Sequence, residues 1–198
     1  GLELAWRDHR RAGYAGRAGG AAWEVKKNSQ GDSDWVAAFA LSDGAELWRH
    51  RLDSINRGRD GSADGPIASP VIAGDRVFAL GAKGQLLALD LASGEVVWKK
   101  SMDADLGASA PDFGYGVTPL AIGDRLIVLT EVAGGAINAL DIATGEVLWS
   151  AESGGFRYQI PVAVEIGGRT LVVTAGGHRL IGFDPADGEV VLSHELAE

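Results

Sequence analysis

The sequence contains no cysteine. This absence excludes disulfide bonds, thiolate metal sites and thiol nucleophiles, but it leaves the compartment open because cysteine-free chains are stable under oxidising and reducing conditions alike. Long hydrophobic runs are also missing, since no apolar stretch approaches the roughly 20 residues that a membrane-spanning helix needs. We therefore predict no transmembrane segment. The chain opens at Gly1 with neither an initiator methionine nor a signal peptide, so a mature or excised segment is expected.

Positive charge is scarce as well. Lysine and arginine total 18 against 27 acidic residues, the formal net charge is −9, and no basic run stands out. Nucleic acid is therefore not an expected partner. The four histidines lack a short metal-ligand spacing, and no Gly-x-Ser-x-Gly motif occurs. We predict no catalytic residue, no metal ligand and no residue dedicated to a cofactor.

Glycine, by contrast, is abundant at 29 residues, and the chain repeats itself. Residues 88–98, ALDLASGEVVW, recur at 139–149 as ALDIATGEVLW. The two copies are about 50 residues apart, a spacing typical of structural repeats. Weaker copies run from Ala38 to Trp48 and from Gly182 to Leu192, which makes four in total.

Each copy predicts a tight turn between two strands. The glycine suits a position with positive φ, and the aspartate and hydroxyl suit backbone donors of the turn. The tryptophan four residues later is predicted to fill the gap between neighbouring sheets, with a stacking platform for a base or sugar as the less favoured alternative. The first and last copies carry Ala40 and Leu192 where aspartate and tryptophan are expected. The structural motif residues are Gly44, Trp48, Asp90, Gly94, Trp98, Asp141, Gly145, Trp149, Asp184 and Gly188.

Upstream of three copies, a proline opens a short apolar strand at Pro70, Pro119 or Pro161. Proline cannot donate to a sheet ladder, so it favours an edge strand such as the innermost strand of a propeller blade. Two further glycine turns complete four antiparallel strands in about 45 residues, the length of a blade. We predict an all-β β-propeller segment over 1–198 with four four-stranded blades. The predicted boundaries are 1–10 for an orphan outer strand, then 11–53, 54–103, 104–153 and 154–198 for the blades.

The pattern Ala-x-Asp-x-x-Ser/Thr-Gly-x-x-x-Trp, complete at 88–98 and 139–149, resembles the tryptophan-docking motif of pyrroloquinoline-quinone-like propeller repeats. Families with this repeat include quinoprotein dehydrogenases, the propeller lipoprotein of the outer-membrane barrel-assembly machinery, and uncharacterised secreted or periplasmic propellers, which this sequence resembles most. The resemblance implies a periplasmic or extracellular location. Fold alone does not choose the function.

The first residues add an expectation about ring size. Glu3 to Arg7 resembles Glu46 to Arg49, so residues 1–10 are predicted to be a lone outer strand. Such a strand closes a blade whose other strands come from elsewhere in the parent chain. We expect the segment to be about half of a ring of roughly eight blades, with the remaining blades as its partners.

The favoured function is a non-catalytic scaffold that binds a protein or small ligand. The alternative is a fragment of a quinone-dependent dehydrogenase, which by resemblance would need the quinone, a calcium or lanthanide ion, a catalytic aspartate and often a vicinal disulfide. No cysteine is present, and no aspartate matches the catalytic context, so the quinone is not an expected cofactor.

A candidate binding site comes from the tyrosines. All three precede an innermost strand, so blade geometry predicts that they share one end of the central channel, with an arginine beside the third. The alternative is that these rings only plug the channel. The predicted channel-mouth residues are Tyr14, Tyr115, Tyr158 and Arg157.

Overall fold

The computed structural model describes residues 12–18, 21–30, 33–56, 67–112, 114–130, 136–152, 159–176 and 178–196. The described residues form strands and turns and contain no helix. The strands are β1 (Ala12–Ala18), β2 (Ala21–Gln30), β3 (Ser33–Ala40), β4 (Glu46–Ser54), β5 (Val71–Ala73), β6 (Arg76–Leu80), β7 (Gln85–Asp90), β8 (Val96–Ser101), β9 (Leu120–Ile122), β10 (Arg125–Thr130), β11 (Ala136–Asp141), β12 (Val147–Glu152), β13 (Val162–Ile166), β14 (Arg169–Gly176), β15 (Arg179–Phe183) and β16 (Val190–Glu195).

These strands build four separate four-stranded sheets, each in sequence order: β1–β4, β5–β8, β9–β12 and β13–β16, called here the first to fourth sheets. Every neighbouring pair is antiparallel. The predicted all-β fold of four antiparallel propeller blades is therefore confirmed. The blade boundaries stay a prediction, and the orphan strand at 1–10 lies outside the described residues.

The last two strands of each sheet share one irregularity. Their pairing shifts register after the alanine or glycine that opens the repeated motif, for example between Ala88 and Leu89 and between Ala139 and Leu140. The corresponding shifts in the other two sheets follow Ala38 and Gly182. A bulge of this kind bends a strand and increases its twist, and here it comes directly before the predicted turn.

The chain divides into two compact units. Unit 1 comprises residues 1–101 and 110–116, and unit 2 comprises residues 102–109 and 117–198. In unit 1 the apolar core lies between the first and second sheets, and in unit 2 it lies between the third and fourth sheets. The first core contains Val36, Ala38, Trp48, Leu52, Val77, Ala79, Leu87, Leu89 and Leu91, and the second contains Val117, Ile127, Leu129, Ile137, Ala139, Val172, Ile181 and Phe183.

Candidate functional site

The motif aspartates are held by the backbone of their own turns. Asp90 Oδ1 accepts hydrogen bonds from the Ala92 and Ser93 backbone N–H groups at 3.0 and 2.9 Å and from the Ser93 hydroxyl at 3.0 Å. The Ser93 hydroxyl in turn accepts from the backbone N–H of Glu95 at 3.2 Å. The third sheet repeats this arrangement with Asp141 and Thr144. The predicted role of the aspartate and hydroxyl as acceptors within the turn matches these contacts.

These contacts shift the acidity of the carboxyl groups. The backbone N–H and then the hydroxyl of Ser93 lower the pKa of Asp90, and the same donors of Thr144 lower the pKa of Asp141. The backbone N–H of Ala186, and then the Arg169 guanidinium, lower the pKa of Asp184. Hydrogen bonds to the ionised form favour ionisation, so all three carboxylates are held as acceptors.

The glycine of each turn has the predicted backbone conformation. Its φ is 75° at Gly44, 73° at Gly94, 75° at Gly145 and 78° at Gly188. Glycine adopts this left-handed region without the Cβ penalty that other residues meet. The first turn forms although Ala40 replaces the aspartate, because the backbone bond from Gly44 N to Ala40 O remains at 2.8 Å.

Two tryptophans contact the turn of the following sheet. Within unit 1, Trp48 Nε1 donates to Leu91 O at 2.8 Å, and a Cβ atom on Gly94 would lie 2.5 Å from the Trp48 ring. Within unit 2, Trp149 Nε1 donates to Pro185 O at 3.1 Å, and a Cβ atom on Gly188 would lie 2.5 Å from the Trp149 ring. Each glycine is thus required both for its φ and for the approach of the ring.

Trp98 and Leu192 occupy the tryptophan position in the second and fourth repeats. Trp98 is 8% exposed, and its ring centroid lies 5.7 Å from that of Phe78 at an interplanar angle of 41°. Leu192 pairs with Gly182, where an added Cβ would lie 3.0 Å from the Leu192 Cβ. The fourth sheet therefore places a smaller side chain against a glycine where the second and third sheets pair tryptophan with alanine.

Asp53, which lies at the end of β4 opposite to Trp48, makes a further contact that was not predicted. Asp53 Oδ2 accepts from the Lys83 backbone N–H at 3.1 Å, and a Cβ atom on Gly81 would lie 2.0 Å from that oxygen. Burial raises the pKa of Asp53, and the charge of Asp34 adds to the rise, against lowering by the backbone N–H groups of Lys83 and Gln85. Asp34, its partner across the β3–β4 ladder, is fully buried. An acidic residue five positions after the tryptophan, at Asp53 and Asp103, was the available sequence signal.

The turn between β6 and β7, which contains Gly81 and Lys83, also contacts the residues around Tyr115. The Tyr115 backbone N–H donates to Ala82 O at 2.9 Å, and a Cβ on Gly114 would lie 2.7 Å from that oxygen and from Asn56 Nδ2. The Tyr115 side chain is only 4% exposed. It therefore offers little surface to a ligand in this conformation. The channel-mouth site stays a prediction, because Tyr158, Arg157 and the Tyr14 side chain lie outside the described part of the chain.

Among the described residues, no three or more His, Asp or Glu side chains are grouped as metal ligands, and no helix has the length and apolar character to cross a membrane.

Comparison with known proteins identifies the repeat. A sequence model of the family described as Outer membrane protein assembly factor BamB matches residues 32–198. The chain belongs to the BamB family. This match confirms the predicted pyrroloquinoline-quinone-like propeller and its relation to the outer-membrane assembly propeller.

Two curated relatives and one solved structure are similar to this chain. BamB of Bordetella pertussis is 30% identical over 129 residues, which cover 65% of this chain and 30% of that protein. The crystal structure of BamB from Moraxella catarrhalis has a TM-score of 0.64 at 23% identity, covering 95% of this chain and 51% of that one. Quinoprotein glucose dehydrogenase of Escherichia coli is 29% identical over 126 residues, 58% of this chain and 16% of that protein. The chain thus spans about half of the BamB structure.

Proposed function

We propose that this chain is part of a non-catalytic propeller scaffold that binds a protein partner during the assembly of outer-membrane proteins. The match of the BamB family model to residues 32–198 carries the proposal. The same match supports action in the periplasm, since the relatives are named for assembly at the outer membrane. The proposal includes no bound quinone and no metal ion.

The motif carboxylates support a structural rather than a chemical role. In the second, third and fourth sheets the aspartate accepts from backbone N–H groups of its own turn, and its pKa is lowered. A carboxylate with a lowered pKa and hydrogen bonds to backbone donors is a poor general base. Asp90, Asp141 and Asp184 thus serve the fold.

A protein partner suits the outer edge strands of the sheets. Each of β4, β8, β12 and β16 is the last strand of its sheet, and each exposes aliphatic side chains near its start. The exposed residues are Leu47, Val96, Val97, Val147, Leu148, Val190 and Val191. Repeated exposed aliphatic pairs bind apolar protein surface better than they bind a polar small molecule.

The proposal is tested by photo-crosslinking in the parent protein expressed in its own host. A photo-reactive phenylalanine analogue at Val97 or Leu148 should capture a protein of the outer-membrane assembly machinery. The control is the same analogue at Asp75, whose side chain is 80% exposed on a turn of the second sheet. Equal capture of such a protein from Asp75, or capture only of unrelated abundant proteins, would contradict the proposed surface.

A quinone-dependent dehydrogenase is the second candidate, and the similarity to quinoprotein glucose dehydrogenase favours it. The test adds the quinone, calcium and an artificial electron acceptor to the purified parent protein with alcohols or sugars. Dye reduction that depends on quinone and substrate would establish this candidate in place of the scaffold. The scaffold proposal predicts dye reduction no faster than in the same mixture without protein.

A further inference from the structure

Asp53 reaches the second sheet because of a bulge in β4. The pairing of β3 with β4 shifts register between Asp34, which opposes Asp53, and Trp35, which opposes Arg51. Leu52 is the extra residue in this bulge, and it lies in the core between the first and second sheets. Two consecutive residues therefore contact the second sheet, Leu52 with its apolar side chain and Asp53 with its carboxylate. Bulges commonly redirect a side chain in this way.

The turn between β6 and β7 is shaped to receive that carboxylate. Gly81 has no side chain where Asp53 Oδ2 lies, and a Cβ there would be 2.0 Å from this oxygen. Lys83 N donates to the same oxygen at 3.1 Å, and the backbone N–H of Gln85 also hydrogen-bonds the carboxylate. In the third sheet the residue at the position of Gly81 is Thr130, a buried side chain. The glycine therefore belongs to the contact with Asp53 and not to the repeat.

Like charge opposes the carboxylate in this position. Asp34 is fully buried and opposes Asp53 across the β3–β4 ladder, where paired side chains lie on the same side of the sheet. Of the described charged groups, Asp34 from β3 and Lys83 from the β6–β7 turn act on Asp53. Lys83 is exposed at the surface, whereas Asp34 is not. The buried neighbour of Asp53 is therefore another carboxyl group.

We propose that Asp53 forms a proton-dependent contact that holds the first sheet on the second sheet within unit 1, stronger when the Asp53 carboxyl is protonated and weaker when it is ionised beside Asp34. A protonated Asp53 still presents an oxygen to the Lys83 and Gln85 donors. It avoids both the desolvation of a charge and the repulsion from Asp34. The contact lies at the end of β4 opposite to Trp48 and the turn at Gly94.

The direction of the pH effect follows from the raised pKa of Asp53. A carboxyl group whose pKa is higher in the folded chain than in the unfolded chain binds its proton more tightly when folded. Its contribution to stability is complete below the unfolded pKa of about 3.9 and is lost as the pH rises through the folded pKa. A difference of one between the folded and the unfolded pKa corresponds to about a tenfold change in the unfolding equilibrium constant.

The experiment compares denaturant unfolding of the 198-residue chain with that of Asp53→Asn between pH 4 and pH 8. The asparagine variant should match the wild type near pH 4 and become relatively more stable as the pH rises, because the amide keeps an acceptor oxygen without a charge. Asp75→Asn is the control, since its side chain is 80% exposed, and its difference from the wild type should not follow this rise. Parallel profiles for the wild type and Asp53→Asn would overturn the proposal.

Gly81→Ala gives an independent variant. The new Cβ would occupy the place of Asp53 Oδ2, so the variant should be less stable than the wild type at pH 4. In the Gly81→Ala background, Asp53→Asn should no longer increase the stability as the pH rises. An NMR titration of the Asp53 carboxyl carbon in the wild-type chain requires no variant to fold. A midpoint clearly above about 3.9 is expected, and a midpoint at or below that value would refute the proton-dependent contact.

Discussion

At the scale of single residues, the aspartates of this chain serve opposite electrostatic roles. Asp90 and Asp141 lie on exposed turns and accept several hydrogen bonds, so their pKa values are lowered. Asp53 is half-buried beside Asp34, and its pKa is raised. The same side chain thus favours the folded state at neutral pH in the turns and at acidic pH in the contact between the sheets. Surroundings, not residue type, set the direction.

For the turn aspartates we predict a loss of stability in acid. A lowered pKa contributes stability that is present above the unfolded pKa and is lost as the pH falls through the folded pKa. Asp141→Asn should therefore be less stable than the wild type at neutral pH, and this difference should shrink below about pH 4. Urea unfolding from pH 2.5 to pH 7 measures the difference. A constant difference over that range would show that the charge of Asp141 does not contribute.

At the scale of structural elements, the turn of one sheet and the tryptophan of the preceding sheet form a single contact. Gly94 combines a φ of 73° with the Trp48 ring, and Gly188 combines a φ of 78° with the Trp149 ring. Gly74 has a φ of 58° in the first hairpin turn of the second sheet, but nothing lies within 4 Å of its Cβ position. A comparison of Gly94 with Gly74 therefore separates the free-energy cost of the backbone conformation from that of the contact with the ring.

We predict that Gly94→Ala destabilises unit 1 clearly more than Gly74→Ala. The left-handed backbone costs each alanine about 1–2 kcal/mol, and only the Gly94 variant must also displace the buried Trp48 ring. Trp48→Ala alone should cost about 3–5 kcal/mol, as expected for a large side chain removed from a core. Gly94→Ala and Trp48→Ala together should cost less than the sum of their separate costs, because the Cβ at position 94 no longer meets a ring once Trp48 is removed. Additive costs in denaturant unfolding would show that the ring and the turn are independent.

The sequence predicts the repeated turns well because each depends on residues a few positions apart. Gly44, Gly94, Gly145 and Gly188 all have the expected positive φ. The contact of Asp53 with the β6–β7 turn depends instead on a bulge and on the packing of two sheets, and the acidic residue five positions after the tryptophan does not by itself specify either of them. The Tyr115 backbone contacts the same turn at Ala82, and no local pattern predicts this contact. Local chemistry was therefore predictable, and contacts between sheets largely were not.

At the scale of the whole molecule, the net charge of −9 coexists with exposed apolar surface. Residues around β13 in unit 2 expose three large apolar side chains, those of Ile160, Val162 and Ile166. Clustered apolar side chains favour association, whereas a net charge of one sign opposes it. The balance between the two depends on salt, because ions screen the charge.

We predict that the isolated 198-residue chain self-associates, and more strongly as the salt concentration rises. Replacing Ile166 with lysine should reduce this association, because it places a charge among the exposed apolar groups of β13. Sedimentation velocity over a range of protein and salt concentrations measures this association. A lysine at the neighbouring Gly167 would not serve as a control, because the φ of 59° there would strain any side chain. Glu165→Gln is the better control, since it makes the same change of one in the net charge but removes no apolar group. A monodisperse monomer under all conditions would contradict the prediction.

The contact between a tryptophan and the next turn also bears on how such chains change in length over evolution. In both units the ring comes from the earlier sheet and the turn from the later one. One repeat therefore encodes both a donor surface and a different receiving surface, as in a head-to-tail interface. Duplication of a single repeat adds both surfaces at once, and deletion removes both. The fourth repeat has the receiving Gly188 but carries Leu192 at the position of the tryptophan in the other three repeats, so one surface can be present in a repeat without the other.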